Sequence, residues 1–407
     1  MKSTAGDPPH GTGWPAIQHE EHAWTSRLNP QDLTRSQRER IRLPYSSAVA
    51  PPIAGLTFDV PRDLAADVDE ATTQLARFDA ETGPSGLPFA SILLRSESAS
   101  SSEIEHLTSG ARAIAEAELG ERETGNAAQI VRNVRSMEAA LALADTIDES
   151  SIISMQDALL GAVAPELTGG WREEQVWIGG GSLSPHLADF VPPHHDRLSA
   201  AMGDFVDFIG RSDIPPLVHA SIAHAQFETI HPFADGNGRT GRAIVQALLR
   251  RSEVTSNITV PVSAGLLHDV DGYYDALTAY RRGDIRPIIA AFARAADYAV
   301  VNGRLLVRDV RDAEAGWDEK LLGIRADAAA RRVAVLAIAH PVLNYDLVVR
   351  ELSVAPVTAL RALDTLVERG VLRPANSKRR NRIWLAEHIL AALDDFAARA
   401  GRRRSPA

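Results

Sequence analysis

Twelve consecutive residues, 231–242 (HPFADGNGRTGR), put a base, a carboxylate, a glycine-flanked turn and two guanidiniums within reach of one another. His231 is the only side chain of the stretch of a type whose unperturbed pKa lies near neutrality, which makes it the natural general base. Asp235 supplies a hard oxygen ligand suited to Mg²⁺. Between Gly236 and Gly238 the backbone is expected to turn with positive φ and expose successive N–H groups, and the apolar run 243–249 behind it reads as a helix. Such a nest at a helix N-terminus favours phosphate. Arg239 and Arg242 are three apart and share a helix face on which forked donors grip phosphate oxygens. Taken singly, a His-Pro is a turn, a Gly-Asn-Gly a loop and an arginine pair a solvated face. Together and in order they are an inventory for nucleotide chemistry.

The string matches HxFx(D/E)GNGRxxR at every specified position, and by it the chain resembles the Fic (filamentation-induced-by-cAMP) family. The resemblance implies a mainly α fold: an all-helical core carrying the motif on a loop and the following helix, with a short β-hairpin flap. It implies a protein adenylyltransferase that moves AMP from ATP to a Ser, Thr or Tyr hydroxyl of a protein, itself included. Carried over by residue, His231 deprotonates the target hydroxyl and Asp235 holds Mg²⁺. Gly236, Asn237 and Gly238 cradle the α- and β-phosphates, and Arg239 and Arg242 hold the β- and γ-phosphates. Phe233 reads as a core anchor. The same scaffold in other members removes AMP, or transfers UMP, phosphate or phosphocholine, and the motif does not separate these chemistries.

Upstream, residues 98–107 (SASSSEIEHL) resemble the inhibitory helix of many Fic proteins, (S/T)xxxE(G/N), with Ser101 and Glu105 on the matching positions. The resemblance implies that Glu105 pairs with Arg242 and denies the γ-phosphate its partner. His106 departs from the pattern, which has Gly or Asn there. Read without the family, residues 96–102 are a serine-rich loop and cap, and Glu105 is a first-turn acid of a following helix. The alternating residues 174–180 before a triple glycine suggest a hairpin. In the family a hairpin here is the flap that aligns the target, which makes Val176, Trp177 and Ile178 candidates for docking a substrate strand. Tyr273 and Tyr274 are candidate auto-modification acceptors and equally candidate core aromatics.

The elements that must position these groups read as mostly helix, over 63–81, 104–119, 127–147, 199–209, 273–281 and 285–301, with strand signal sparse before the C-terminal region. The chain has 407 residues, 45% hydrophobic content, no cysteine and thirteen histidines. Thiolate sites and disulfides are excluded. His194-His195 and His19 to His22 lack a partner at metal-ligand spacing and are expected on surfaces. No apolar run is long enough for a membrane span or a signal peptide, so a cytoplasmic protein without membrane contact is expected.

From Arg325 onward there are fifteen Lys+Arg against eight Asp+Glu, a balance of +7, and the preceding part carries −17 of the overall −10. Within the basic part, 333–338, 347–352 and 357–369 read as three helices, and 371–372 and 383–385 as short strands around the basic run 373–382. That order resembles a small C-terminal winged-helix domain, which implies contact with DNA, with a protein, or with a second copy in a homodimer. The basic face argues for DNA, and a nucleotide-sensing DNA-binding regulator is the rival reading. Asp364 and Glu368 on the third helix argue against it. The expected organisation is an N-terminal arm (1–45), a helical region with the inhibitory segment (46–150), the catalytic core (151–305), the winged helix (325–390) and a basic tail (391–407).

Overall fold

A computed structural model describes residues 13–26, 29, 31, 33–181, 183–375 and 382–401. In chain order the elements are β1 (Gln18–His22), α1 (Arg35–Arg40), β2 (Tyr45–Val49), α2 (Arg62–Thr82), α3 (Phe89–Ile104), α4 (Ala111–Glu118), α5 (Gly125–Ala142) and α6 (Glu149–Leu160). There follow α7 (Leu198–Ile209), α8 (Pro216–Ile230), α9 (Asn237–Arg251), α10 (Val262–His268), α11 (Val270–Arg281), α12 (Arg286–Lys320) and α13 (Ala329–Ala339). The chain ends with β3 (Val342–Asn344), α14 (Tyr345–Leu352), α15 (Pro356–Glu368), β4 (Arg373–Pro374), β5 (Ile383–Leu385) and α16 (Glu387–Ala400). The fold is mainly helical, with small antiparallel sheets.

The chain divides into two compact units. The first gathers Met1–Asp69, Ala139–Leu248 and Asp271–Ala291. Its centre is α8, where Pro216 at the first helical position sets φ and every residue from Leu217 to Ile230 is buried. Phe205 of α7 packs on Phe227 of α8 with ring centroids 5.5 Å apart. Tyr280 of α11 donates its hydroxyl to Gln226 Oε1 at 2.8 Å. Asp148 caps α6 by accepting the Ser151 N–H at 2.7 Å, a bond that holds its carboxyl down at about 2. The N-terminal arm expected over 1–45 contains from Gly13 onward a strand, β1, that pairs with β2 at the arm's end. β1 and β2 run antiparallel with Gln18 opposite Val49 and His22 opposite Tyr45. The pair is anchored where Ala48 N–H donates to Val191 O and where Asp204 of α7 takes the N–H groups of Ile53 and Ala54.

The second unit gathers Glu70–Glu138, Leu249–Val270 and Phe292–Ala407. Its polar interior is tightly matched: Asp79 accepts the N–H groups of Asn257 and Ile258, and Glu97 accepts the N–H and hydroxyl of Ser263. Gly265 of α10 lies so close to α12 that a Cβ there would meet Ala295 O at 2.2 Å. Arg95 of α3 forks onto Glu118 at 2.7 and 2.8 Å.

The last part of this unit runs helix, strand, helix, helix, strand, strand, with the three strands in the order β3-β5-β4, antiparallel throughout. Asn344 caps α14 through the Leu347 N–H, and Gly370 at φ 65° ends α15. Residues 376–381, which include the basic Lys378, Arg379 and Arg380, lie outside the described residues, as does the tail 402–407. The tail expected from 391 is helix as far as Ala400. Ile389, Leu393, Phe396 and Ala400 form a buried stripe, and Asp394 accepts the Ala111 N–H that opens α4.

Candidate active site

His231 is the C-cap of α8, with φ 51° and ψ 61°, a left-handed conformation that turns the chain sharply out of the helix. Its N–H still donates to Phe227 O at 2.8 Å, and its Nδ1 lies 3.8 Å from Glu228 Oε2. Phe233 is fully buried as a core anchor, its ring 5.2 Å from Trp171 and 6.3 Å from Phe227. The loop is closed by Asn237, whose Oδ1 accepts the Phe233 N–H at 2.9 Å while its Nδ2 donates to Phe233 O at 2.8 Å. The Asn237 amide is therefore spent on holding the loop. Its backbone N–H belongs to the first turn of α9.

Gly236 has φ 86°, a conformation that favours glycine, and a Cβ there would meet the Leu159 Cδ2 methyl at 2.8 Å and displace it. Gly238, expected to share the positive φ, is instead the second residue of α9 and helical. The reason is that Gly236 C=O already accepts the Thr240 N–H at 2.9 Å, which makes Gly236 the helix start. The N–H groups of Asn237, Gly238 and Arg239 fall in the first turn, where a helix has no acceptor of its own. Asp235, with 56% of its side chain exposed, accepts the Gly236 N–H at 2.6 Å and Arg239 at 3.3 Å. Arg239 and Arg242 are both buried. Gly241 lets α9 close on α8, since a Cβ would lie 3.1 Å from both His224 Nδ1 and Phe227. Burial, with the nearby Arg242 charge, drives the His224 imidazole down to about 3, so it is neutral around pH 7 and pairs with the Tyr273 hydroxyl at 2.7 Å. Tyr273 is thus a core aromatic, while Tyr274 is exposed.

One residue that carries the loop left no signal in the sequence. Arg172 donates to the carbonyls of His231 at 2.9 Å, Glu174 at 2.8 Å and Pro193 at 2.6 Å, and its own N–H donates to Pro232 O at 2.9 Å. Burial lowers its guanidinium to about 10, still charged near neutrality. The side chain holds the turn containing His231 to the segments on either side of it. Beside it a cavity of about 570 Å³ is lined by Glu166, Trp171, Arg172, Gln175 and Ala234, among others. Given that a misplacement of about 1 Å at a reacting centre costs about 100-fold, Arg172→Ala is expected to lower turnover by about that factor with the KM for nucleotide nearly unchanged. Steady-state kinetics of the variant checks this; a raised KM at full turnover would show that Arg172 serves binding.

The hairpin expected at 174–180 is reduced to one antiparallel bridge, Ile178 with Phe190. Three consecutive glycines with positive φ, 179–181, and a single-turn helix at Pro185–Leu187 separate the partners, which precludes a longer ladder. Gln175 occupies Val176 O and Pro192 O with its amide, and Trp177 packs edge-on against Trp24 at 5.6 Å.

Ser101 and Glu105 lie in the second unit. The serine run 96–102 is helix interior, not a loop: Ser96 and Ser102 turn their hydroxyls back to the carbonyls of Ile92 and Ser98. Ser101 is buried, and Glu105 is the exposed C-cap of α3. The helix expected over 104–119 is realised only from Ala111: Ile104 is the last residue of α3, and a break separates it from α4. The break is a complete Schellman turn, with Leu107 N–H to Ser102 O at 3.0 Å, His106 N–H to Glu103 O at 2.9 Å, and His106 at φ 62°. That is the conformation glycine or asparagine adopts most cheaply, so His106 forms the turn at a conformational cost. His106→Gly is expected to stabilise the fold by about 0.5–1 kcal/mol, the left-handed penalty less the extra unfolded-state entropy of glycine. A lower denaturation midpoint for the variant would mean that the imidazole makes a compensating contact.

The start of α9, the histidine at the turn before it and the two buried arginines that follow are thus gathered in one short segment of a helical fold. Residues 146–249 match the Fic/DOC family. The chain is 32% identical over 158 residues to a protein adenylyltransferase Fic of Nematostella vectensis, covering 38% of this chain and 33% of that protein. To the protein adenylyltransferase Fic of Aedes aegypti it is 34% identical over 152 residues, 37% of this chain and 28% of that one. It thus spans a third or less of the length of these curated relatives. A Fic family protein of Desulfovibrio desulfuricans shares the fold, with a TM-score of 0.52 at 21% identity over 83% of this chain and 98% of that chain. Among the described residues no helix is long and apolar enough to cross a membrane.

Proposed function

We propose that the protein is an adenylyltransferase that moves AMP from ATP to a hydroxyl side chain of a protein, with Glu105 as its intramolecular brake. The observation that carries the reading is the joined geometry of His231, Asp235, the first turn of α9 and the buried Arg239 and Arg242. His231 accepts the proton of the target hydroxyl. The oxygen attacks the α-phosphorus, the bond from that phosphorus to the bridging oxygen breaks, and pyrophosphate leaves. The N–H groups of the first turn of α9 and the two arginines hold the phosphates, so the protein's part is positioning and charge neutralisation. Mg²⁺ fits the exposed Asp235 carboxylate, a hard ligand of the kind that shares the ion with substrate phosphates, and would supply further neutralisation there.

Target docking by strand addition is narrowed by the bridge. Both backbone groups of Ile178 face Phe190, so those of Trp177 point to the opposite edge. Of the three flap candidates, Trp177 offers the main-chain edge. For the C-terminal part we infer a winged helix that serves protein contact, cytoplasmic and away from membranes, with DNA disfavoured. Arg373 pairs with Glu387 and Arg382 with Asp364, so the basic residues at the base of the hairpin are already engaged, and α15 exposes Val357 (58%) and Leu360 (40%). Intact-mass spectrometry of Glu105→Gly after incubation with ATP and Mg²⁺ tests the enzyme assignment. A gain of one AMP per site, absent when His231→Ala is added, supports transfer; no adduct on the chain or on added cell protein, despite measurable ATP binding, would overturn it in favour of reverse chemistry or another donor.

A further inference from the structure

The histidines at 22, 194 and 195, which no spacing in the sequence makes into a ligand set, meet in the first unit. β1 lays the His22 ring flat on the His194 ring, centroids 4.2 Å apart and planes within 10°, and the His194 ring lies 4.0 Å from that of His195. The single-turn helix His195–Arg197 brings the Asp196 carboxylate back to both: Oδ2 is 3.2 Å from His194 Nδ1 and Oδ1 is 3.6 Å from His195 Nε2. One ligand atom from each of the three residues lies within 4.8 Å of the others. Arg197, the next residue, does not neutralise Asp196. It forks onto Glu20 of β1 at 2.7 and 2.5 Å, and Glu20 also takes the His22 ring at 3.1 Å. The carboxylate is left facing two imidazoles.

We propose that His194 Nδ1, His195 Nε2 and the Asp196 carboxylate form a binding site for a zinc-class divalent cation, completed by water. Two imidazole nitrogens and one carboxylate are the donor set of late first-row ions, whereas Mg²⁺ and Ca²⁺ select oxygen-rich sites. Around a tetrahedral ion with bonds of about 2.0–2.1 Å, neighbouring ligand atoms stand about 3.3 Å apart; the 3.2 Å between His194 Nδ1 and Asp196 Oδ2 already matches, and the three ligand atoms, all within 4.8 Å of one another, reach the rest by side-chain rotation. His22, stacked on His194 and held by Glu20, fixes the plane of the first ligand as an outer-sphere partner does. The site is structural. Pro193 immediately precedes it and gives its carbonyl to Arg172, which holds His231 O, so a bound ion stiffens the turn that supports the motif loop.

The test uses the full-length chain without a histidine tag, treated with chelator and titrated with Zn²⁺ by calorimetry and with Co²⁺ by visible absorption. One equivalent should bind in the micromolar range and raise the melting temperature. Asp196→Asn, at a side chain that is 78% exposed and so carries little folding risk, and His195→Ala should each weaken Zn²⁺ binding about ten-fold or more. Asp235→Ala should leave Zn²⁺ affinity unchanged. Absence of one-to-one binding, affinity that survives both ligand substitutions, or loss of binding in Asp235→Ala would each overturn the proposal.

Discussion

His231→Ala is expected to reduce AMP transfer by about 10²–10⁴-fold, the range a positioned general base contributes, while ATP affinity changes only a few-fold. The split follows from the architecture. In the proposed reaction the phosphates are held by the first turn of α9 and by Arg239 and Arg242, none of which depends on the imidazole, and the loop geometry is set by Asn237 and Arg172 acting on main-chain atoms. The left-handed turn at residue 231 persists in alanine at modest strain, because the His231 N–H and C=O remain bonded to Phe227 and Arg172. Radiolabelled or mass-detected transfer, with calorimetric ATP binding on the same preparation, checks both halves. Retained transfer in His231→Ala would remove the histidine from the chemistry; lost ATP binding would recast it as a nucleotide ligand.

Glu105→Gly should raise transfer by about 10- to 100-fold. On the proposed reading of Glu105 as a brake, a charge-assisted carboxylate–guanidinium interaction is worth about 1.5–3 kcal/mol, and each 1.36 kcal/mol is about ten-fold in rate. Glu105 is the C-cap of a helix whose turn is closed by main-chain bonds from His106 and Leu107, so removing its side chain leaves the turn intact. Glu105→Gln separates charge from shape: it should release activity partly, because an amide still hydrogen-bonds to a guanidinium without its full attraction. Unchanged transfer in both variants would take Glu105 out of regulation without touching the catalytic assignment.

The motif was legible because its chemistry is contiguous. Base, carboxylate, turn and guanidiniums sit within residues 231–242, and a short string of chemically demanding residues is readable without knowing what surrounds it. The long apolar periodicities were legible for a similar reason: α2, α7 and α15 fall within a residue or so of their expected spans, since a helix buries one stripe whatever it packs on. What periodicity cannot see is a break that keeps the stripe going. The expected helix over 104–119 runs from the last residue of α3, the buried Ile104, across the Schellman turn into α4, because Ile104, Leu107, Ala111 and Ile114 keep a helical spacing in the sequence. Positive φ was placed at both glycines of the motif, but a single residue, Gly236, absorbs the turn once its carbonyl starts the helical ladder. The β1–β2 pair was missed because strands with polar, half-exposed faces carry little alternation of their own.

By itself the sequence determined the chemistry available at residues 231–242, the helical class and the absence of thiol chemistry, all of which are properties of residue type and local order. Tertiary structure alone decided which distant groups hold that chemistry in place. Arg172 reaches His231 O from 59 positions away in the chain, and His22 lies on His194 across a still longer separation. Asn237 turned out to bind its own loop through both amide atoms, so on the proposed reading the main chain of the α9 N-terminus is what meets an anion. Contacts of this kind form between backbone carbonyls, ring faces and amides that every chain possesses, so nothing in residue identity marks them; only the packing that brings the segments together does.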